Sequence, residues 1–386
     1  MISPQALDTA RDHYHRFIAS THAGGVDYRL TPRAEPTPYA RCFALFGLQL
    51  LGLTESLLDK SAMILAIRRD LDLMRDARVR AGAILSIDKP YLQLLSFSLS
   101  ALAIVGALKD DPLERHVMPL LSHDVRGDLQ RVGALDGVAR SGNTAMFMAV
   151  LLLHARDYLG IDTLGRINEW CAAHLATVNA RGFWGNNSTM SHLQFQNGYH
   201  QYEVLEYLHT PNVPWDAAAE AVASLADAEG HFAPYPGGGG CFDYDAVSIL
   251  TGASPAAVSQ HKELLGRTAS TLLSEQNMDG GFAESLRIRP RNRANVTGLF
   301  KHAINASGEA RKERLRQALT LLRPTHNRMR THWSHYSREW GESDLWDSWF
   351  RMLAIARIQA ALDPPSADSW GFINYPGIGF HPSVRN

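Results

Sequence analysis

The stretch YLQLLSFSLSALAIVGAL, Tyr91–Leu108, decides the fold of this chain. It carries no charge, and its apolar side chains fall on every side of a helix rather than along one stripe. A helix that is apolar all round packs on all its faces. Ser96, Ser98 and Ser100 make it too polar for a bilayer span, so the spacing predicts a helix in a protein core. Tyr39–Leu51, Ser141–Leu153 and Leu345–Ala361 read the same way. Helices of this kind begin near Tyr39, Tyr91, Ser141, Asn197, Asp243, Asn295 and Asp344, about fifty residues apart. Between them lie amphipathic segments such as Leu57–Met74, with charges at Asp59, Lys60, Arg68, Arg69, Asp70 and Asp72.

A repeat of that length, made of one amphipathic and one buried helix, predicts an all-α protein. Its architecture would be an α/α toroid, a double ring of six to seven antiparallel helix pairs. An open solenoid is the alternative, although its units are usually shorter. No disordered linker divides residues 1–386, so a single toroid domain is expected. Pro234–Gly240, PYPGGGG, lies inside one repeat, and its glycines permit a tight loop over a cavity mouth or a flexible connector.

A formal charge of -1 and a pI near 7.0 exclude a global attraction to nucleic acid or anionic membranes. The arginines at 287, 289, 291 and 293 read as a solvated loop. Cys42, Cys171 and Cys241 are too few and too scattered for a disulfide framework. Met1–His15 has no apolar stretch of signal-peptide type. A soluble, cytoplasmic protein is expected. The sequence has no G-x-x-x-x-G-K-[ST], G-x-G-x-x-G or G-x-S-x-G motif. D-D-x-x-D and G-C-G-E-Q are absent too.

Gln276-Asn-Met-Asp279-Gly280-Gly281-Phe282 resembles the Q-x3-G-x-aromatic turn of terpene cyclases and the DGGF turn of protein prenyltransferase β subunits. Gly182-Phe183-Trp184-Gly185, Gly230-His231-Phe232 and Ala23-Gly24-Gly25 are weaker echoes. The resemblance implies the α/α toroid of the terpenoid cyclase and prenyltransferase superfamily. Cys241-Phe-Asp243-Tyr244-Asp245-Ala246 in turn resembles the D-x-D-D motif of proton-initiated cyclases. That implies Asp245 as the general acid and Asp243 as its partner, although Ala246 stands at the third acidic position. The plain alternative is that Asp243 caps a helix start.

Three further groupings are candidates. Cys241 and Asp243 with His335 (His332 is also near) form a donor set for zinc, in the reverse order of the D-x-C pair of protein prenyltransferases. No cofactor is expected, with zinc as the alternative. Asn197, His200 and Tyr202 resemble the set that neutralises uronate and moves a proton in polysaccharide lyases. A polar helix start facing a cavity needs no such role. The segment Trp340–Phe350 supplies Asp344, Asp347, Trp346 and Trp349. Asp344 is a further catalytic candidate, and His335 a base or relay. Trp346, Trp349, Tyr244, Tyr202 and Phe147 are candidate walls, since aromatic faces stabilise a developing cation; packing alone would also account for them.

The expected function is a cyclase or transferase acting on an apolar, isoprenoid or natural-product small molecule. The alternatives are a uronate lyase or glycosidase, and a non-catalytic binding toroid. A homodimer or partner subunit would cover the barrel mouth.

Overall fold

The computed structural model describes residues 3–54, 59–121, 124–185, 191–323, 328–329 and 338–377. Among these the chain is predominantly helical. The helices are α1 (Pro4–Thr21), α2 (Pro38–Leu50), α3 (Lys60–Arg80), α4 (Lys89–Ile104), α5 (Glu114–Val117), α6 (Val125–Val132), α7 (Ser141–Tyr158) and α8 (Leu164–Thr177). They continue with α9 (His192–Tyr207), α10 (Trp215–Ala223), α11 (Gly240–Thr251), α12 (Pro255–Gln260), α13 (Lys262–Ser274), α14 (Arg293–Ile304), α15 (Gly308–Leu322) and α16 (Leu345–Leu362). Two short antiparallel ribbons pair β1 (His22–Gly24) with β2 (Asp27–Tyr28), and β3 (Arg328–Met329) with β4 (Arg338–Glu339).

Local chemistry sets the helix starts. Asp88 accepts the Tyr91 amide at 3.0 Å and is gripped by Arg78 at 2.5 Å, while Pro90 opens α4. Thr37 with Pro38 does the same for α2, and Asp344 caps α16 through the Asp347 amide at 2.9 Å. A side-chain acceptor at the cap and a proline in the first turn are the two strongest start signals.

Six helices, α2, α4, α7, α9, α11 and α16, are buried along most of their length. Each packs on the next in that order, and α16 packs on α2. Against their outer sides lie α1 on α2, α3 on α4, α6 and α8 on α7, α10 on α11, and α13 on α16. The two ends of the chain meet where the Leu345 amide donates to Leu30 O at 2.9 Å. One apolar core runs from Leu7 to Tyr375. None of the described helices is long and apolar enough to cross a membrane.

The expected inner helix near Asn295 is a correction. It forms α14, which buries only Leu299, His302 and Ala303 and packs on α15. The α14–α15 pair is thus an addition between α13 and α16. A start position fifty residues on from the last does not make a helix central when its faces carry Arg293, Lys301 and an exposed Thr297.

The glycine turns repeat in three dimensions. Asn179, Asp227 and Asn277 each donate their amide to the carbonyl four residues on, Phe183, His231 and Gly281, at 2.7–2.9 Å. Gly182, Gly230 and Gly280 return an amide to the first residue of each turn, with φ of 81°, 90° and 90°. Only glycine adopts that angle without strain. The aromatic that follows each turn, Trp184, Phe232 or Phe282, is fully buried. Gln276 fastens the third turn to α1 by donating to Ala10 O at 2.9 Å and to Gly280 O at 2.8 Å. Ala23-Gly24-Gly25 belongs instead to the β1–β2 ribbon.

His174 in α8 gives a pH test of this outer packing. Its ring lies 3.9 Å from Trp170 and 5.4 Å from Trp184, and Nδ1 meets Trp170 O at 2.8 Å. Burial lowers its pKa to about 4, so the folded imidazole is neutral at pH 7. An unfolded histidine titrates near 6.5, so this group stabilises fully above that value. The contribution is lost as pH falls towards 4, about 3 kcal/mol in all. The stability gap between wild type and His174→Gln should narrow over that window in urea titrations. A gap that is constant with pH would contradict the neutral, buried ring.

Candidate functional site

The central helices bury almost everything, which makes their half-buried polar side chains informative. Lys89 (α4), Asn143 (α7), Gln196 and His200 (α9), Cys241 (α11) and Trp346 and Phe350 (α16) all sit in the first turns of their helices or just beyond. They converge. Lys89 Nζ donates to Asn143 Oδ1 at 2.8 Å, and Gln196 Nε2 to Cys241 Sγ at 3.3 Å. Asn143, His200, Trp346 and Phe350 line one cavity. The N-terminal ends of the central helices therefore surround a depression with a polar rim.

The cavity measures about 30 Å³ and has mostly aromatic walls. Phe43 meets Trp346 edge-on at 5.1 Å, Phe46 lies 5.5 Å from Trp349, and Phe97 and Phe147 complete the wall. That volume holds one or two waters. Gln93, Asn143, Tyr199, His200 and Glu203 are the polar side chains of its lining.

The far side is closed by the chain beyond α16. Trp370 is held by Gln359 at 2.9 Å, and Gly371 by Leu50 O at 3.0 Å. The Tyr375 hydroxyl meets His154 at 3.1 Å, and the Gly377 amide donates to Glu203 Oε1 at 2.7 Å. Gly377, at φ 106°, lines the cavity where a side chain would meet Ser96 and Val150.

Two carboxyls lie at this depth. Glu203 is 2% exposed and accepts the Tyr199 hydroxyl at 2.9 Å. Asp245, one helix away, is equally buried, and burial, then Glu203 and Asp243, hold its carboxyl well above the usual range. These influences all favour its protonated form. His200 is the opposite case: burial, then Lys89, lowers its pKa to about 3, so the ring is neutral. Its Nδ1 has no hydrogen-bond partner among the described residues. Burial, then Asp245, pushes the Cys241 thiol up, so it is no ready thiolate.

The residues singled out in the sequence divide in two. His200, Trp346, Trp349 and Phe147 line the cavity. Asp243, Asp245, Asp344, Asn197, Tyr202 and Tyr244 stand off its lining. Asp243 accepts the Phe232 amide at 2.8 Å and the Gly239 amide at 3.2 Å, which fastens the loop Pro234–Gly240 to α11. That loop is a close-fitting one: a Cβ at Gly238 would run into the Asp243 carboxylate. Asp344 caps α16 and pairs with Arg338 at 2.8 Å. Asn197 accepts the Gly142 amide at 2.7 Å and so ties α9 to the start of α7. The Tyr202 hydroxyl donates to Gly182 O at 2.6 Å, towards the outer layer. Tyr244 packs between Tyr199 and Phe350, off the cavity lining. His335 and His332 lie outside the described residues.

The zinc donor set does not fit. Cys241 faces Gln196 on α9, whereas Asp243 faces the Phe232 and Gly239 amides. Residues two apart on a helix point about 200° apart, so these two donors do not converge on one ion.

Lys89, Asn143, Gln93, Glu203 and Gly377 were not expected. Glu203 had a legible signal, a carboxylate inside an otherwise apolar part of a buried helix. Gly377 had none.

No protein-family model matches this chain, and no curated protein does. A solved structure of a protein from Actinoplanes is similar at 14% identity and a TM-score of 0.46, over 92% of this chain and 98% of that one.

Proposed function

We propose that the six central helices and their outer partners close an α/α toroid of six helix pairs. Within it, we infer, the protein is an enzyme that protonates an apolar small molecule held among the central aromatic rings. The contact of α16 with α2, after each central helix has met the next, supports the toroid. The resemblance of Gln276–Phe282 to the terpene cyclase turn agrees with it, and the same backbone turn recurs at Asn179 and Asp227.

The chemical reading rests on one observation: a buried carboxyl, Glu203, lines an aromatic chamber, and the buried Asp245 on the neighbouring helix is near enough for Glu203 to favour its protonated form. Asp245 holds the proton, and Glu203 is the carboxyl that faces the chamber. Transfer of that proton to an alkene carbon leaves a carbocation on the substrate and a carboxylate on the protein. Faces of Phe43, Phe97, Trp346 and Trp349 stabilise such a cation by about 1–2 kcal/mol each when dry. Loss of a proton from the cation to neutral His200 or to a water ends the reaction. The polar rim at Lys89, Asn143 and Gln196 would receive a polar end of the substrate. A substrate needs far more than 30 Å³, so its binding requires the rings to part or Gly377 to leave Glu203.

The test is turnover of a panel of linear isoprenoids in D2O, with products read by mass spectrometry. Wild type should place one deuterium in a cyclised product, and Glu203→Gln and Asp245→Asn should each lose 10²–10⁴-fold in rate. Full turnover by Asp245→Asn would remove its role as the acid.

The small chamber favours a second reading, a toroid that binds a ligand at its polar rim without chemistry. It expects no deuterium in any recovered ligand, and binding that weakens when Lys89 or Gln196 is replaced by alanine.

A further inference from the structure

We propose that Asp227, Glu229 and His231, on the turn between α10 and α11, form a site for a divalent transition-metal ion, separate from the central chamber. The three donor atoms lie together on one side of the turn. His231 Nδ1 is 3.7 Å from Asp227 Oδ2 and 3.8 Å from Glu229 Oε2. Donors around a tetrahedral ion with bonds of about 2.0–2.2 Å are roughly 3.3–3.5 Å apart, and the three donor atoms here lie within 4.8 Å of one another, so side-chain rotation closes the site.

The ring is oriented for that role. His231 is fully buried, and its Nε2 meets Glu275 Oε2 at 3.1 Å. In the metal-free protein, against burial, Asp227 and Glu275 raise its pKa to about 10, so an ion would displace the Nδ1 proton while Glu275 keeps the Nε2 N–H and the ring's orientation. Nδ1 has no hydrogen-bond partner among the described residues and points into the carboxylate pair. Asp227 is oriented as well: its Oδ1 accepts the Glu229 and His231 amides at 2.9 and 3.0 Å, which leaves Oδ2 directed at the site. From α14, His302 Nδ1 comes within 3.6 Å of the same Oδ2, so its ring flanks the site.

A sister turn shows what the backbone alone requires. In the Asn179–Phe183 turn the Asn179 side chain accepts the Arg181 and Phe183 amides, where this turn has Asp227 accepting from Glu229 and His231. Neither a carboxylate nor an imidazole is needed to form the turn. A glutamate half exposed to solvent gives an ion a way in. The opposing element is Arg287, whose guanidinium bonds Glu229 Oε2 and must swing aside. Mixed imidazole and carboxylate donors suit Zn²⁺, Co²⁺ or Mn²⁺.

The experiment is titration of metal-stripped, full-length protein with Co²⁺, followed by visible absorption, with Zn²⁺ stoichiometry by elemental analysis. Wild type should bind one ion per chain. Asp227→Asn retains the amide-accepting oxygen, as Asn179 does in its own turn, and should fold yet bind at least tenfold more weakly. His231→Gln should abolish the absorption band, Glu275→Gln should weaken binding about tenfold, and Arg287→Ala should tighten it. No uptake by wild type would overturn the proposal and leave His231 as a buried imidazolium paired with Asp227 and Glu275. Equal binding by wild type and Asp227→Asn would overturn it too.

Discussion

Arg338→Met should lower the stability of the protein by about 3–5 kcal/mol at pH 8, because it strands buried carboxylates. Arg338 is 2% exposed, and Asp344 and Asp347 are fully buried. Its Nε lies 2.8 Å from Asp344 Oδ2, and its Nη2 lies 2.8 Å from Asp347 Oδ2. Glu284 stands 3.8 Å further along the same guanidinium. Methionine fills a similar volume without a charge, so the loss reports the uncompensated carboxylates more than a cavity. The cap of α16 belongs to the same cluster, which couples the arginine to the start of a central helix.

The deficit should depend on pH, and its sign follows from the carboxyls. Burial raises the Asp344 carboxyl well above its usual range, with Arg338 the main opposing influence. Burial and then Asp347 push Glu284 up to about 7, again against Arg338 and the Tyr235 hydroxyl. Without the arginine both rise further. A carboxyl whose folded pKa lies above its unfolded value costs nothing while both states are protonated. Its penalty grows as pH rises from the unfolded value, near 4, through the folded one. Urea midpoints should therefore separate wild type from Arg338→Met least near pH 4.5 and most at pH 8. A deficit that stays constant up to pH 8 would mean that the cluster holds its protons in wild type as well.

The all-helical character was largely legible because buried helices recur along the sequence. Starts read at Tyr39, Tyr91, Ser141 and Asp344 fall within two residues of α2, α4, α7 and α16. Those read at Asn197 and Asp243 fall five and three residues inside α9 and α11. Asn295 misled because periodicity counts positions and does not weigh exposure. The site was harder to read for a chemical reason. Asp, Asn and Tyr at a helix start are the residues that cap, pin loops and catalyse, and one sequence does not separate these uses. Asp243, Asp344, Asn197 and Tyr202 were therefore singled out for position, and each accepts from or donates to backbone nearby. Charged residues inside buried helices carried a better signal: Glu203, Glu206, Arg351 and Arg357 must find partners. Arg357 indeed pairs with Glu206 at 3.1 Å, and Arg351 with Glu275 at 2.8 Å.

Trp349→Ala should cost about 3–5 kcal/mol and create a central hole large enough for an aromatic guest. Trp349 is 1% exposed, packs on Phe46 and lines the existing cavity. Its removal should open roughly 100–150 Å³ of dry, aromatic-walled space, the range in which benzene binds in other cores. Benzene or indole should then raise the melting temperature of the variant, by an amount that grows with ligand concentration, and leave wild type unchanged. The outcome bears on how a substrate could enter. A costly substitution with guest binding means that the rings hold their places, so access to Glu203 must come from withdrawal of the segment around Gly377. A cost nearer 1–2 kcal/mol without guest binding means that the rings collapse into the gap. Walls that yield so readily would also part for a substrate, and the Gly377 amide could then stay on Glu203.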